Sequence, residues 1–108
     1  MPSFVPLIEA AEVPPGRAVP VRVGDRWFAV CNDAGRFHVV DHDCPHEGGS
    51  LAGGEVRDGC VICPVHAWPF DLQTGLTDER MPWMRLRRYP CQLRDGRVFA
   101  DVTAPLQP

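Results

Sequence analysis

Two short segments of the sequence each pair a cysteine with a histidine. Cys44-Pro45-His46 offers one thiolate and one imidazole, and Cys63-Pro64-Val65-His66 offers the same pair again. Sixteen residues, 47 to 62, separate the two segments. Thiolates and imidazoles bind transition metals such as zinc and iron. The spacing predicts a metal centre to which two loops each contribute one Cys and one His.

Two kinds of centre could use this ligand set. A mononuclear zinc site can be Cys2His2, but zinc commonly takes its ligands from C-x2-C and H-x3-5-H turns. Here each segment supplies a mixed pair instead. Mixed ligation, with Cys on one iron and His on the other, is the arrangement of one class of [2Fe-2S] centre. The mixed pairs favour the iron-sulfur centre, and a structural zinc module stays as the alternative.

A third cysteine, Cys60, stands three residues before Cys63 and could form a C-x2-C metal turn with it. The residues between them, Val61 and Ile62, are β-branched, and no Gly or Pro turns the chain. We therefore expect a strand, in which residues three apart point to opposite faces. This predicts that Cys60 is a small buried apolar residue and that Cys63 opens the loop.

Short β-rich runs separated by Gly-containing turns make up most of the remaining sequence. Turns are expected at Gly24-Asp25, at 33–35, at Asp58-Gly59 and at Asp95-Gly96, and no segment has the pattern of an amphipathic helix. The two metal-binding segments are longer than tight turns require. We predict one all-β domain over residues 1–108, carrying two loops at about 44–49 and 63–68.

Composition narrows the functional classes. The apolar fraction of 44% and charged fraction of 23% are those of an ordinary globular protein. A net charge of -3 gives no support to nucleic-acid binding. The opening residues lack the pattern of a secretory signal, and no apolar run approaches the ~20 residues of a membrane span. We expect a cytoplasmic protein with no membrane contact. In a reducing cytosol, clusters among its five cysteines indicate metal binding or catalysis rather than a disulfide framework.

The complete pattern is C-x-H, sixteen residues, then C-x2-H, with glycines after the first pair and "FDLQTG" after the second. From about Val13 to Val102 it resembles the Rieske iron-sulfur proteins, and within them the small ferredoxins of ring-hydroxylating oxygenase systems and the small subunit of assimilatory nitrite reductase. The resemblance implies an antiparallel β-sandwich with a small cluster-binding subdomain at one tip. It implies one [2Fe-2S] cluster bound by Cys44 and Cys63 on the buried iron and by His46 and His66 on the outer iron.

The function that the resemblance implies is one-electron transfer from a flavin-dependent reductase to a terminal oxygenase, by a protein that is a monomer when free and has no substrate chemistry of its own. The alternative is the small subunit of a nitrite reductase, bound to its large subunit. High-potential respiratory relatives carry a disulfide and two hydroxyl residues at positions that here are Gly49 and Val65, and Trp68 and Phe70. Their absence predicts a potential at the low end of the Rieske range of about -150 to +300 mV.

Several other residues could take part in chemistry, and we expect a plainer role for most of them. His38 and His42 are assigned to surface or packing roles, and Cys31 and Cys91 to thiols within strands. Trp68 is expected to shield the cluster from water. Three acidic residues lie near the tip: Asp41, Asp43 and Glu47. We expect them to be solvated surface residues, and the alternative is that they steer a basic partner. Two positions bear on the resemblance itself: Ala67, where glycine is usual, and Pro82, where the family has a third loop covering the cluster.

Overall fold

The computed structural model describes residues 3–45, 49–65 and 67–106. These residues form β-strands and one short 3-10 helix, Ala10–Glu12, with no α-helix among them. None of their helical structure is long and apolar enough to cross a membrane. The strands are β1 (Val5–Glu9), β2 (Arg17–Val23), β3 (Arg26–Asp33), β4 (Arg36–Asp41), β5 (Val56–Arg57), β6 (Cys60–Ile62), β7 (Pro69–Asp71), β8 (Arg88–Tyr89), β9 (Cys91–Arg94) and β10 (Arg97–Ala100).

The strands pair in three antiparallel sheets, which confirms the predicted all-β antiparallel fold. Their strand orders are β1-β10-β9, β2-β3-β4-β8 and β5-β6-β7. The four-stranded sheet is the largest, and the small β5-β6-β7 sheet carries the second of the two predicted metal-binding segments between β6 and β7.

Strand β3 shows how the sheets are held together. Its apolar run is buried on both faces, because successive side chains of a strand alternate between the two sides of the sheet. Phe28 and Val30 enter one buried cluster, and Ala29 and Cys31 enter another. We call the first the scaffold core: Val13, Val21, Phe28, Val30, Val39, Tyr89, Val98, Ala100 and Val102. The second is the site core: Ala18, Ala29, Cys31, Val40, Cys44, Leu51, Val56, Val61, Cys63, Phe70, Leu72 and Leu86.

The predicted turns are confirmed. Three of them have two central residues with positive φ, as type I′ hairpin turns require. Asp58-Gly59 is one example, with φ of 54° and 75°, and it joins β5 to β6. The others are Ala34-Gly35 and Asp95-Gly96, and the β2–β3 turn has positive φ at Gly24.

Three features of the strand pattern differ from the prediction. Strand β1, which contains Pro6, was not expected; it is an edge strand, where a missing N–H is tolerated. Strand β7 was not predicted; it begins directly after the second predicted loop, where Pro69 and Phe70 pair with β6. Pro90 separates β8 from β9, which belong to different sheets, and this break was not predicted.

Candidate metal centre

Cys44 and Cys63 are the two predicted ligands that the structure describes. Cys44 follows β4, and Cys63 follows β6 directly. Both belong to the site core, where Cys44 is 2% exposed and Cys63 is 0% exposed. The structure therefore brings into one core two thiols that are nineteen positions apart in the sequence.

The same backbone arrangement surrounds each cysteine. The Cys44 N–H donates to the Gly49 carbonyl at 2.7 Å, and the Cys63 N–H donates to the Trp68 carbonyl at 2.8 Å. The residues just outside these bonds pair as antiparallel neighbours, Asp43 with Ser50 and Ile62 with Pro69. Each bond thus closes a six-residue loop with Cys first. We call residues 44–49 the first loop and residues 63–68 the second loop.

The two loops touch at Gly49. A Cβ atom at this glycine would lie 2.8 Å from Cγ2 of Val65 and 4.0 Å from Sγ of Cys63. The second loop occupies the space that a side chain at position 49 would need. In the sequence, Gly49 stands out only as a position where respiratory relatives carry a disulfide cysteine. A usable signal was its position five residues after Cys44, which matches Trp68 five residues after Cys63.

His42 lies at the base of the first loop. Its Nε2 is 3.0 Å from Oγ of Ser50, and its Nδ1 is 2.8 Å from Oδ1 of Asp43. Its carbonyl accepts the N–H of Leu51 at 2.8 Å. His42 therefore ties the two ends of this loop together, which gives its expected packing role a specific form.

A third segment reaches the site core from residues 81–84. Met84 packs against that core, as do Val65 and Trp68, and its N–H donates to the Met81 carbonyl at 3.0 Å. Pro82 is exposed, and the Trp83 side chain is 74% exposed. At the expected third loop it is Met84, rather than Pro82, that contacts the core.

Cys60 does not join Cys63 in the site core. It lies in β6 opposite Asp71 and lines an open cleft of about 280 Å³ on the other side of the strand. The prediction that Cys60 is buried is wrong, because it is only half-buried at the edge of that cleft. Partial burial, followed by the negative charges of Asp71, Asp58 and Asp33, raises the pKa of its thiol.

The other two cysteines lie in strands, as predicted. Cys31 is fully buried in β3, and this burial, with smaller effects of Cys91 and Asp33, raises its pKa to about 12. Cys91 is half-buried in β9, and its thiol donates to the Phe37 carbonyl at 3.2 Å. His38 pairs with Cys31 across the sheet, and burial is the main cause of its lowered pKa.

Two of the three acids near the tip have partners. Asp41 accepts a hydrogen bond from the Tyr89 hydroxyl, and Asp43 bonds to His42. Glu47 lies outside the described residues. The carboxylate of Asp43 is 75% exposed, so it leaves a negative charge at the surface beside Cys44.

His46 and His66, the other two predicted ligands, also lie outside the described residues. Within the described ranges, no three His, Cys, Asp or Glu side chains form a group that could hold a metal. The described part contributes a buried pair of thiols in apolar surroundings. Thiolates in such a place need a compensating positive charge, which iron would provide, so the thiol pair fits a metal cluster.

Comparison with known proteins assigns the family. Residues 3–90 match the model of the Rieske [2Fe-2S] domain. The ferredoxin component of an alkene monooxygenase system from Xanthobacter autotrophicus is 34% identical over 85 residues, covering 78% of this chain and 68% of that protein. Other relatives are longer: the chain spans 21% of cholesterol 7-desaturase nvd 1 of Ciona intestinalis, at 31% identity.

Solved structures agree in fold. The Sphingomonas yanoikuyae B1 ferredoxin superposes with a TM-score of 0.80 and 29% identity, covering 98% of this chain and 100% of that one. A protein described as an NADH-dependent nitrite reductase small subunit from Mycobacterium tuberculosis gives a TM-score of 0.78 and 25% identity, with 93% and 95% covered. These findings decide between zinc and iron: the chain belongs to the Rieske [2Fe-2S] domain family, and its cofactor is one Rieske-type [2Fe-2S] cluster.

Proposed function

We propose that this protein is a Rieske-type ferredoxin that carries single electrons from a flavin-dependent reductase to a terminal oxygenase. The observation that carries the proposal is the pair of buried thiols, Cys44 and Cys63, in two loops closed by matching backbone hydrogen bonds. Support comes from the ferredoxins of similar length among its relatives. When bound, the cluster would supply a one-electron redox couple.

The proposed ligands are Cys44 and Cys63 on the inner iron and His46 and His66 on the outer iron. The described residues support the thiolate half of this set, because both thiols lie in one core and the loop contact at Gly49 lies beside Cys63. The surrounding apolar side chains, Val65 and Trp68 among them, would exclude water from the sulfur atoms. Exclusion of water limits the reorganisation that accompanies each change of charge.

We propose that residues 1–108 form one Rieske domain, with the metal ligands in the first and second loops. We propose a cytoplasmic monomer that binds neither nucleic acid nor membrane, consistent with its acidic net charge of -3 and its five cysteines. Cell fractionation and sedimentation of the purified protein would test this setting.

The second candidate is the small subunit of a nitrite reductase. The similarity in fold and length to the Mycobacterium tuberculosis protein favours it. Affinity purification from the native host separates the two functions. Recovery with an oxygenase or flavin reductase supports the carrier, whereas stable recovery with a large sirohaem protein supports the subunit.

The cluster and its ligands are tested together. Protein purified without oxygen should contain about two irons and two acid-labile sulfides, and its reduced form should give the EPR signal of a mixed-valence [2Fe-2S] centre. Cys44→Ser and Cys63→Ser should lose the cluster. Cys60→Ser is the matched control, since Cys60 lies only three residues away but on the other side of β6, and it should keep full iron content. Loss in the control together with retention in Cys63→Ser would overturn the ligand set.

A further inference from the structure

We propose that Gly49 and Val65 are positioning residues that form a packing latch between the two loops, which fixes their spacing and keeps water from the Cys63 sulfur. The contact that defines this latch is the 2.8 Å separation between Cγ2 of Val65 and the position of a Cβ at Gly49. The inference rests on the proposed function, because it takes Cys63 to be an iron ligand.

Packing, rather than backbone conformation, requires glycine at position 49. Gly49 is not among the residues with positive φ, so its backbone is open to any L-amino acid. The obstacle is the side chain of Val65, which is β-branched and stiff about χ1. That side chain also packs against the site core and has little freedom to turn away.

Gly49 is connected to both cysteines. Its carbonyl accepts the Cys44 N–H at 2.7 Å, while its Cα faces Sγ of Cys63, which would lie 4.0 Å from a Cβ at this position. A displacement of Gly49 would therefore move the first cysteine through the hydrogen bond and open the surroundings of the second. The contact couples the two loops mechanically even though they are far apart in sequence.

The test is a size exchange between the two positions. Gly49→Ala should push Val65 away and accelerate cluster loss by about tenfold or more, since overpacking a well-packed site is strongly unfavourable. Val65→Ala in the same chain removes the clashing methyls, so the double variant should return to within roughly threefold of wild type. The readout is the decay of visible absorbance in the presence of an iron chelator.

Val65→Ala alone supplies a measurement that does not depend on the folding of Gly49→Ala. It should expose the Cys63 sulfur to water, speed cluster loss, and raise the midpoint potential, because water stabilises the more negative reduced cluster. A substitution that only lowered the stability of the fold would leave the midpoint potential of the remaining folded protein unchanged.

The matched control truncates a valine elsewhere. Val19 is half-buried against the scaffold core, so Val19→Ala should not rescue Gly49→Ala. The latch is wrong if Gly49→Ala loses iron at the wild-type rate, if Val65→Ala fails to rescue it, or if Val65→Ala alone changes neither rate nor potential. Cys63→Ser is measured beside these variants. Retention of its cluster would overturn the ligand set and the latch with it, whereas loss of its cluster without rescue in the double variant would overturn the latch alone.

Discussion

Oγ of Ser50 lies 3.0 Å from Nε2 of His42, and this hydrogen bond joins the two ends of the first loop. The pairing of Asp43 with Ser50 and the bond from Leu51 N–H to the His42 carbonyl lie beside it. The first loop therefore has a closed base formed by backbone and side chains together. The second loop has its base in the β6–β7 pairing instead.

Removal of the Ser50 hydroxyl should loosen the first loop. We expect Ser50→Ala to cost about 0.5 to 1.5 kcal/mol, the usual net value of one hydrogen bond, and to speed iron loss to a chelator roughly fivefold. Ser50→Thr keeps a hydroxyl and should stay near the wild-type rate. Equal rates of iron loss in the two variants would show that the hydrogen bond does not stabilise the loop.

Ala67, in the second loop, has a φ of 56°, a conformation that favours glycine. Ala67→Gly should raise the free energy of unfolding by about 0.5 to 1 kcal/mol, because relief of the left-handed conformation exceeds the entropy that glycine adds to the unfolded chain. Thermal unfolding followed by circular dichroism would measure it. Ala34→Gly is the control, since Ala34 has a φ of 51° in the β3–β4 turn, and it should gain similarly. A loss confined to Ala67→Gly would show that its methyl group packs within the second loop.

The potential of the wild-type cluster is expected below zero, at the lower end of the range of about -150 to +300 mV. Phe70 is fully buried in the site core with both cysteines. A hydroxyl in Phe70→Tyr needs an acceptor there, and a bond to sulfur would raise the midpoint by on the order of 60 mV, or about 1.4 kcal/mol for one electron. Phe28→Tyr, equally buried but in the scaffold core, should lose stability without a change in potential. A loss of stability without a change in midpoint potential in Phe70→Tyr would contradict the prediction.

The reactivity of the Cys60 thiol depends on the charges around it. Burial, then Asp71, raises the pKa of its thiol, so the reactive thiolate is scarce at pH 7.5 and becomes more abundant as the pH rises. Asp71→Asn removes the negative charge and keeps an oxygen that can accept the N–H groups of Gln73 and Thr74. It should lower this pKa and speed alkylation by iodoacetamide at pH 7.5, as measured by mass spectrometry.

Two carboxylates serve as controls for this measurement. Asp58→Asn should have a smaller effect, since Asp58 contributes less to the raised pKa of Cys60. Asp95→Asn changes the same kind of turn residue in another hairpin and should have none. Equal acceleration in all three variants would mean that general loosening, rather than charge, controls the reaction.

Local chemistry explains what could be predicted from the sequence. Asp58-Gly59 and Asp95-Gly96 strongly favour positive φ at both positions, so their hairpins follow from neighbouring residues alone. The placement of Cys60 and Cys63 on different sides of β6 follows from the alternation of a strand. The family resemblance followed from the spacing of the four proposed ligands, which depends on residue type and distance along the chain.

Features that depend on distant residues could not be predicted in this way. Strand β1 exists because it pairs with β10, some ninety residues later in the chain, and the residues of Val5–Glu9 do not indicate which strand they pair with. The half-burial of Cys60 depends on the loop that follows β7, which leaves a cleft beside it. The contact of Gly49 with Val65 depends on how two loops meet in space, so a glycine chosen by packing looks in the sequence like any other glycine.

The two cores on opposite faces of the β2-β3-β4-β8 sheet have a consequence for how the protein is assembled. Both cysteine ligands proposed for iron are in the site core, whereas the scaffold core contains no candidate ligand among the described residues. The scaffold-core side of the sheet can therefore fold before any cofactor binds. The site-core side then offers its two cysteines to the cluster. In the apoprotein we expect slow amide hydrogen exchange in β3 and β10 and fast exchange around Cys44 and Cys63. Cluster delivery would then complete the folding of one half of a molecule whose other half is already in place.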